Sequence, residues 1–426
     1  MKLKLSPRKK SFAASWLKTA LLAAAVAAIA GVSQAAPTLP VIPSGTFTIT
    51  SYGASTGSSN NATAIQNAIN AASAAGGGTV VVPSGTFLSG PLTLKSKVCL
   101  NLASGSTLKM LAYGTYPGNT VFINFGGLNN VKISGSGTID GQGAAWWTAY
   151  TASGNTLARP GMLSGNNCTE VQITGIKLLN APNVHLSFHY TCNNITVDHM
   201  TILSPGTNAP NTDGIDLEGT NYLIDTCNIS CGDDMIAIVG SHIRSQYILV
   251  QNCTFGTGHG CSIGSYTSNG VDHLTVNNCT FKNGGGIRIK TSNDRGGTVQ
   301  YLTYSNLTMT GVATPIWISE WYASDPANPT TAATSAVTAT TPIYKHILIQ
   351  NVTATGASSG HNIYGRPESH VSDVVLDNVK ITATTGMNIF YADGIVFKNG
   401  SKVTVSSGAA VTTYKATVTG VTTTAY

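Results

Sequence analysis

The sequence predicts an all-β fold, a single-stranded right-handed parallel β-helix of roughly ten coils with a short amino-terminal capping helix. Three observations support this prediction. Short runs of β-branched and apolar residues recur between about residues 130 and 380, and asparagine returns in them at a nearly constant interval. The chain also contains 46 glycines and few charged residues. This composition favours strands and turns over long helices.

The first 35 residues are predicted to be a secretory signal peptide. A basic start is followed by the apolar run ALLAAAVAAIAGV and the small-residue exit Ser33-Gln34-Ala35. This run is too short to span a bilayer comfortably, and no later segment resembles it. We therefore expect an exported, extracellular protein in which residues 36–426 form a single β-helix domain.

Removal of this leader changes the charge balance. It contains six basic and no acidic residues, so the remaining chain has 23 − 6 = 17 Lys and Arg against 17 Asp and Glu. A formal net charge of zero gives no general attraction for nucleic acid or for an anionic membrane. We expect neither as a partner, and any attraction for an acidic ligand must be local.

The asparagine interval indicates the length of one coil. Asn252, Asn278 and Asn306 are separated by 26 and 28 residues, and Asn351 and Asn378 by 27. Such a period, built from short strands and turns, is typical of a solenoid whose coils stack about 4.8 Å apart. Equivalent asparagines should then form a hydrogen-bonded ladder along the stack.

The gap of 45 residues between Asn306 and Asn351 contains one period and an insertion. The insertion, residues 323–342, reads ASDPANPTTAATSAVTATTP. Its Pro, Thr and Ala content predicts a surface loop.

The amino-terminal end of a solenoid needs a cover over its open coil. The segment NATAIQNAINAASAAGGG has apolar residues at helical spacing: Ile65, Ala68, Ile69 and Ala72. Asn61 or Thr63 is expected to cap this helix, and the glycines at 76–78 to end it.

Three cysteines, Cys227, Cys253 and Cys279, occupy a column that is apolar in other coils. We expect buried free thiols that pack as small hydrophobic groups, with disulfides between adjacent coils as the alternative. Metal ligation is not expected, because no CxxC motif or matching histidine pair accompanies them.

Successive coils can be aligned on their apolar strands. The segments NTDGIDLEG, GDDMIAIVG, GHGCSIGS and GGGIRIKTS then place four residues in one column: Ile215, Ile236, Cys261 and Ile287. Asp213, Asp234 and His259 share the column two residues earlier, and Asp233 lies beside Asp234. We expect Gly232 to allow the irregular backbone that turns both neighbouring aspartates toward one cleft.

Clustered carboxylates raise the pKa of at least one member, which can then act as a general acid while another acts as base. That division of roles is what glycosidic hydrolysis requires. On the next coil, Arg288 and Lys290 lie on one face and can bind the carboxylate of an acidic sugar. The alternatives are that the aspartates only cap turns and that the two cations only neutralise them.

The motifs NTDGID, CGDDMIAI, GHGCSIGS and GGIRIKT, in this order, resemble the polygalacturonase family, family 28 of the glycoside hydrolases. The opening segment that begins YGASTGSSNNATAIQNAIN and the later GTIDGQGAAWW resemble the same family, so the likeness covers nearly all of the mature chain. The resemblance implies hydrolysis of α-1,4-linked galacturonan with inversion at the anomeric carbon.

The resemblance also implies residue roles. Asp233 would be the general acid, and Asp213 and Asp234 together would activate the water. His259 would orient or tune the acid. The substrate would be bound by three further residues: Arg288, Lys290 and Tyr322. The family implies no cofactor and no metal, and we expect a monomer whose partner is the polysaccharide.

Three alternatives stay open. A related hydrolase could cut rhamnogalacturonan or xylogalacturonan, although such an enzyme is expected to depart from the Asp-Asp pair or the Arg-Ile-Lys motif. A pectate lyase would use the aspartates to hold calcium. A non-catalytic adhesin on the same solenoid would bind saccharide without cleaving it. The sequence does not distinguish internal cleavage from cleavage at chain ends.

Overall fold

The computed structural model describes residues 35–426, which form the predicted right-handed parallel β-helix. Three parallel ladders run along the stack, and eleven successive coils, from residue 78 to residue 398, pass through all three, close to the roughly ten expected. Except for Ala35, the predicted signal peptide lies outside the described residues. Within the described part, no helix is long and apolar enough to cross a membrane.

Most strands belong to one ladder each. The first ladder contains Thr46–Thr48, Gly78–Val82, Val98–Leu102, Asn129–Gly135, Thr169–Thr174, Asn193–Asp198, Thr220–Asp225, Ser245–Gln251 and Val271–Asn277. The second contains Gly85–Ser89, Ser106–Met110, Thr138–Asp140, Lys177–Leu179, Thr201–Leu203, Asn228–Ser230, Thr254–Phe255, Thr280–Lys282 and Lys402–Val405. The third contains Leu92–Thr93, Ile123–Asn124, Leu163–Ser164, Leu186–Phe188, Ile215–Leu217, Ile236–Ile238, Cys261–Ile263, Gly285–Lys290, Thr314–Ser319, Val411–Thr419 and Thr424–Ala425. Three long strands bend from one ladder into another: Thr298–Thr310, Ile343–Tyr364 and Val371–Lys398.

The interior of the stack is apolar, because alternate residues of each strand point inward. Inward-facing residues such as Ile215, Ile236 and Ile287 are fully buried, and each contributes about 1.5–3 kcal/mol through burial. All eight cysteines are buried and free, so the prediction of buried thiols is confirmed. The thiol of Cys253, for example, donates to the carbonyl of Gln251 at 3.1 Å.

The asparagine ladder is present, with one break. Amide-to-amide hydrogen bonds join Asn278 to Asn252 at 2.7 Å, Asn351 to Asn306 at 3.1 Å and Asn378 to Asn351 at 3.0 Å. Asn306 donates instead to Asn277 at 2.8 Å. The five ladder asparagines also have left-handed φ angles of 52–56°. Asparagine tolerates this conformation better than most residues, which gives it a second reason to recur at this turn.

The amino-terminal helix spans Ala62–Ala74, and its four predicted apolar residues are fully buried. Its cap differs from the prediction. Asn61 is at the N-cap position, but its side chain accepts from Ser55 N and donates to Leu88 O. The amide oxygen of Asn60 accepts the N–H of Ala62 instead, at 2.9 Å. The structure adds a second helix, Ala144–Ala152, which the sequence did not predict.

The insertion after Tyr322 is mostly exposed, as expected of a surface loop, with a short 3-10 turn at Pro329–Thr331. It is also anchored to the stack. The hydroxyl of Tyr391 donates to Pro329 O at 2.7 Å, and the guanidinium of Arg366 donates to Ser335 Oγ at 3.3 Å.

Candidate active site

The predicted alignment of coils is the register of the third ladder. Ile215 pairs with Ile236, Ile236 with Cys261, and Cys261 with Ile287. The polar residues therefore lie in the turns that enter this ladder on consecutive coils. Gly214 N donates to Asp234 O at 3.0 Å, and His259 N donates to Asp233 O at 2.8 Å.

The role predicted for Gly232 is corrected by its backbone, because Gly232 is not among the glycines with a left-handed φ. The position needs glycine for space. A Cβ on Gly232 would lie 2.1 Å from the carbonyl oxygen of Ala209. Asp233 and Asp234 face the same region because both lie in the bend before the strand Ile236–Ile238, where the alternation of a strand does not apply.

Asp234 is buried, and both of its carboxylate oxygens are occupied. Oδ1 accepts from Ser262 Oγ at 2.7 Å and from Arg288 Nη1 at 3.0 Å. Oδ2 accepts from Lys290 Nζ at 2.7 Å. The two cations assigned to the substrate carboxylate therefore pair with Asp234 in the free protein, which is the arrangement that the neutralisation alternative describes.

Asp233 is held by other partners. His259 Nδ1 and the backbone N–H of Asp234 each lie 2.9 Å from its Oδ1, and Asn211 Nδ2 donates to its Oδ2 at 3.3 Å. Burial raises the pKa of Asp233, but the hydrogen bond and charge of His259, followed by the charge of Lys290, outweigh it. The pKa of Asp233 consequently lies below its ordinary value.

The carboxyl group that burial favours in its protonated form is that of Asp213. Burial, and then the charges of nearby aspartates of which Asp216 is the strongest, raise the pKa of Asp213 well above its ordinary value. Burial and the charges of the same cluster raise the pKa of Asp216 to about 8. The sequence thus predicted a raised pKa in this cluster, and the structure places it at Asp213 and Asp216, away from Asp233.

A neutral histidine supports the backbone beneath Asp213. Burial lowers the pKa of His185 to about 4. Its Nδ1 lies 3.0 Å from the carbonyl oxygen of Asp213, and its Nε2 lies 3.0 Å from Ser204 Oγ. Neutral His185 can donate from one nitrogen and accept at the other, so it fixes the turn without adding charge to the site.

The side chains predicted to bind substrate come from coils that follow the aspartates in the chain. Lys290 Nζ lies 5.1 Å from the centre of the Tyr322 ring, and the Arg288 guanidinium lies 4.7 Å from the centre of the Trp317 ring. The structure therefore brings together all seven residues predicted for the site: Asp213, Asp233, Asp234, His259, Arg288, Lys290 and Tyr322.

Asp233, Asp234 and His259 also offer ligand atoms that lie within 4.8 Å of one another, close enough for a metal ion. The hydrogen bonds to Asp234 argue against a cation here, because protein groups already use both of its oxygens. These three residues are a poor fit to the oxygen-rich shell that calcium prefers.

Three residues of the site were not assigned to it by sequence reasoning. Asn211 bonds to Asp233, Ser262 bonds to Asp234, and Asp216 belongs to the carboxylate cluster. The motif NTDGID contained a sequence signal for two of them, because Asn211 and Asp216 are its first and last residues. Ser262 could be found only from the register that pairs it with Arg288.

Comparison with known proteins identifies the family. The model of the glycosyl hydrolases family 28 matches residues 73–399. An endo-polygalacturonase of Pectobacterium carotovorum subsp. carotovorum is 34% identical over 56% of this chain and 66% of its own length. A polygalacturonase of Malus domestica is 30% identical over 74% of this chain and 70% of its own.

Solved structures agree. The polygalacturonase of Erwinia carotovora ssp. carotovora superposes with a TM-score of 0.71 and 28% identity, covering 87% of this chain and 100% of that one. Several curated relatives are matched over only about half to two thirds of their own length. The family match, by contrast, spans most of the chain. This chain therefore belongs to the glycosyl hydrolases family 28.

Proposed function

We propose that the protein is a secreted polygalacturonase that hydrolyses the α-1,4 linkages of galacturonan. One observation carries this proposal. Asp213, Asp233 and Asp234 come from two consecutive coils and meet beside Arg288 and Lys290. Clustered carboxylates supply acid and base, and the cations supply recognition of a sugar acid.

In the proposed reaction, water attacks the anomeric carbon while the bond from that carbon to the leaving-group oxygen breaks. Asp233 gives its proton to the leaving oxygen. Asp213 and Asp234 together accept one proton of the attacking water, a role that requires Asp213 to be in its ionised form. A single displacement inverts the anomeric configuration. Inverting enzymes commonly separate their acid and base carboxyl groups by about 6.5–9.5 Å, whereas Asp233 and Asp234 have carboxylate oxygens within 4.8 Å of each other in the free protein.

The low pKa of Asp233 in the free protein must rise before it can act as an acid. The charge of Lys290 is one cause of the low value. A substrate carboxylate bound by Lys290 and Arg288 would neutralise that charge, so the pKa of Asp233 would rise when substrate is present. His259, which shares a hydrogen bond with Asp233, would then return the proton between turnovers.

Substrate binding would rearrange the pairing of the cations. Arg288 and Lys290 would exchange part of their contact with Asp234 for the galacturonate carboxylate, and the Tyr322 ring would pack beside Lys290. Release of Asp234 would free a carboxylate oxygen for the attacking water. The full use of Asp234 by protein donors supports hydrolysis over calcium-dependent elimination.

We further propose that the protein is exported by its predicted leader and acts as a monomer without a cofactor. The layout of the first residues, which is that of a signal peptide, supports export.

The test is an assay on polygalacturonate, with reducing ends, ultraviolet absorbance and product lengths measured with and without a chelator. We expect new reducing ends, no rise in absorbance and no effect of the chelator. A mixture of oligomers would indicate internal cleavage, and mono- or digalacturonate alone would indicate cleavage from chain ends. Products that absorb in the ultraviolet and no longer form when chelator is added would indicate a lyase. Cleavage restricted to rhamnogalacturonan or xylogalacturonan would indicate a hydrolase of branched pectin. Binding without product would indicate an adhesin.

A further inference from the structure

The insertion reaches the floor of the cleft at one residue. We define the cleft floor as the outward-facing column of the third ladder: Asp216, Ala237, Ser262, Arg288, Trp317 and Asn362. Asp325, from the insertion, binds two members of this column. Its Oδ2 accepts from Trp317 Nε1 at 3.0 Å and from Asn362 Nδ2 at 2.6 Å. Its Oδ1 accepts from the hydroxyl of Ser319.

Trp317 connects this anchor to the proposed substrate site. It is the register neighbour of Arg288, and the guanidinium carbon of Arg288 lies 4.7 Å from the centre of its ring. Arg288 in turn donates to Asp234 at 3.0 Å. A continuous chain of contacts therefore runs from the insertion, through one indole ring, to the cation that would bind the substrate carboxylate.

The chemistry of the anchor suits a positioning role. No Lys, Arg or His of residues 35–426 forms an ion pair with Asp325, and its three donors are a neutral indole, an amide and a hydroxyl. An indole has only one N–H, so this hydrogen bond selects one orientation of the ring. Asn388 donates to Asn362 at 3.1 Å, which ties the anchor to the next coil as well.

We propose that Asp325 is a positioning residue for substrate binding, which holds Trp317 against Arg288 so that the guanidinium is oriented toward a galacturonate carboxylate. The proposal rests on the proposed function, in which Arg288 binds that carboxylate. On this proposal, the insertion after Tyr322 is needed to shape the site for an acidic sugar.

The experiment compares Asp325→Ala, Asp325→Asn, Trp317→Phe and the double variant Asp325→Ala/Trp317→Phe with the wild type. Val337→Ala is the matched control, because Val337 is 71% exposed in the same insertion. The measurements are kcat and KM on polygalacturonate, affinity for a galacturonate oligomer by calorimetry, and Tm for each variant.

We expect Asp325→Ala to raise KM and weaken oligomer binding by about three- to tenfold, with kcat nearly unchanged, because a misaligned guanidinium loses ground-state binding. Asp325→Asn keeps one acceptor and should be intermediate. In the Trp317→Phe background, Asp325→Ala should change KM by less than about twofold, because its effect passes through the indole N–H. Val337→Ala should match the wild type.

Equal effects of Asp325→Ala in both backgrounds would overturn the proposal. A loss confined to Tm or kcat would do the same, because that is the result of a merely structural anchor. A wild type that binds the oligomer without cleaving it would overturn the proposed function, while the binding data would still decide the role of Asp325. A wild type that neither binds nor cleaves would overturn both.

Discussion

Asp233 and Asp234 are neighbours in the chain, but their carboxylates are held by different partners. Asp234 is paired with Lys290 at 2.7 Å and with Arg288 at 3.0 Å, whereas Asp233 is hydrogen-bonded to His259 at 2.9 Å. The side chain of Asp234 is 5% exposed and that of Asp233 is 23% exposed. One member of the doublet is therefore a buried, charge-compensated carboxylate, and the other faces the cleft and can exchange a proton.

His259 should set the pH dependence of activity through Asp233. Its hydrogen bond and charge lower the pKa of Asp233 against the effect of burial, so His259→Ala should raise that pKa. A general acid must be protonated to work, and a higher pKa extends its protonated form to higher pH. We expect the basic limb of kcat/KM to move to higher pH, while the maximal rate falls. A pH–rate profile of the wild type and the variant tests this. An unmoved basic limb would show that His259 does not control the pKa of Asp233.

The ion pair between Lys290 and Asp234 should matter for folding as well as for binding. Lys290→Met would leave a buried carboxylate without its cation, at a cost of about 3–5 kcal/mol in unfolding free energy. The double variant Lys290→Met/Asp234→Asn should recover much of that stability but none of the activity. Urea unfolding, with enzyme assays on the same samples, checks both statements. A Lys290→Met protein as stable as the wild type would show that the pair is not buried as described.

Asp216 should make the protein less stable as the pH rises. Its folded-state pKa is about 8, above the value near 4 of an unfolded chain, so the folded state binds the extra proton between these two pH values. Stability is then lost as pH rises through this window. Asp216→Asn removes the charge and should raise the unfolding free energy at pH 8 by about 1–3 kcal/mol, with little change at pH 4. Thermal unfolding at both pH values tests the sign, and an equal change at both would contradict it.

The proposed single displacement predicts the configuration of the product. Cleavage of an α linkage by direct attack of water should release the β anomer first, which then equilibrates slowly. Proton NMR during the first minutes of hydrolysis distinguishes the two anomers. Initial release of the α anomer would require a covalent intermediate, and the assignment of Asp213 and Asp234 to a water-activating role would fall.

Much of the fold could be predicted from the sequence because a solenoid repeats one local rule. The interval between asparagines gave the coil length, and alignment on the apolar strands gave the register of the third ladder. That register alone was sufficient to bring Asp213, Asp234 and His259 together on consecutive coils. The spacing of Ile65 and Ile69 was likewise sufficient to place the capping helix.

The other features of the fold and the site depend on side-chain geometry, which the sequence repeat does not specify. Whether Arg288 points at a substrate or at Asp234 depends on rotamers. Ser262 becomes a partner of Asp234 only when two coils are stacked. The first N–H of the capping helix bonds to the side chain of Asn60 and not to that of the N-cap residue Asn61, a difference that depends on local turn geometry. The contact between Asp325 and Trp317 joins an irregular insertion to a strand, and no periodic pattern predicts such a contact.

The acid role of Asp233 is the centre of this account, and the rate of Asp233→Asn on polygalacturonate tests it most directly. Asp377→Asn, a change at a carboxylate that pairs with Lys398 far along the chain, is the control. We expect Asp233→Asn to lose about 10²–10⁴-fold in rate on polygalacturonate and much less on an α-galacturonide with a phenolic leaving group, and we expect no loss for the control. Undiminished hydrolysis of polygalacturonate by Asp233→Asn would contradict the acid role of Asp233.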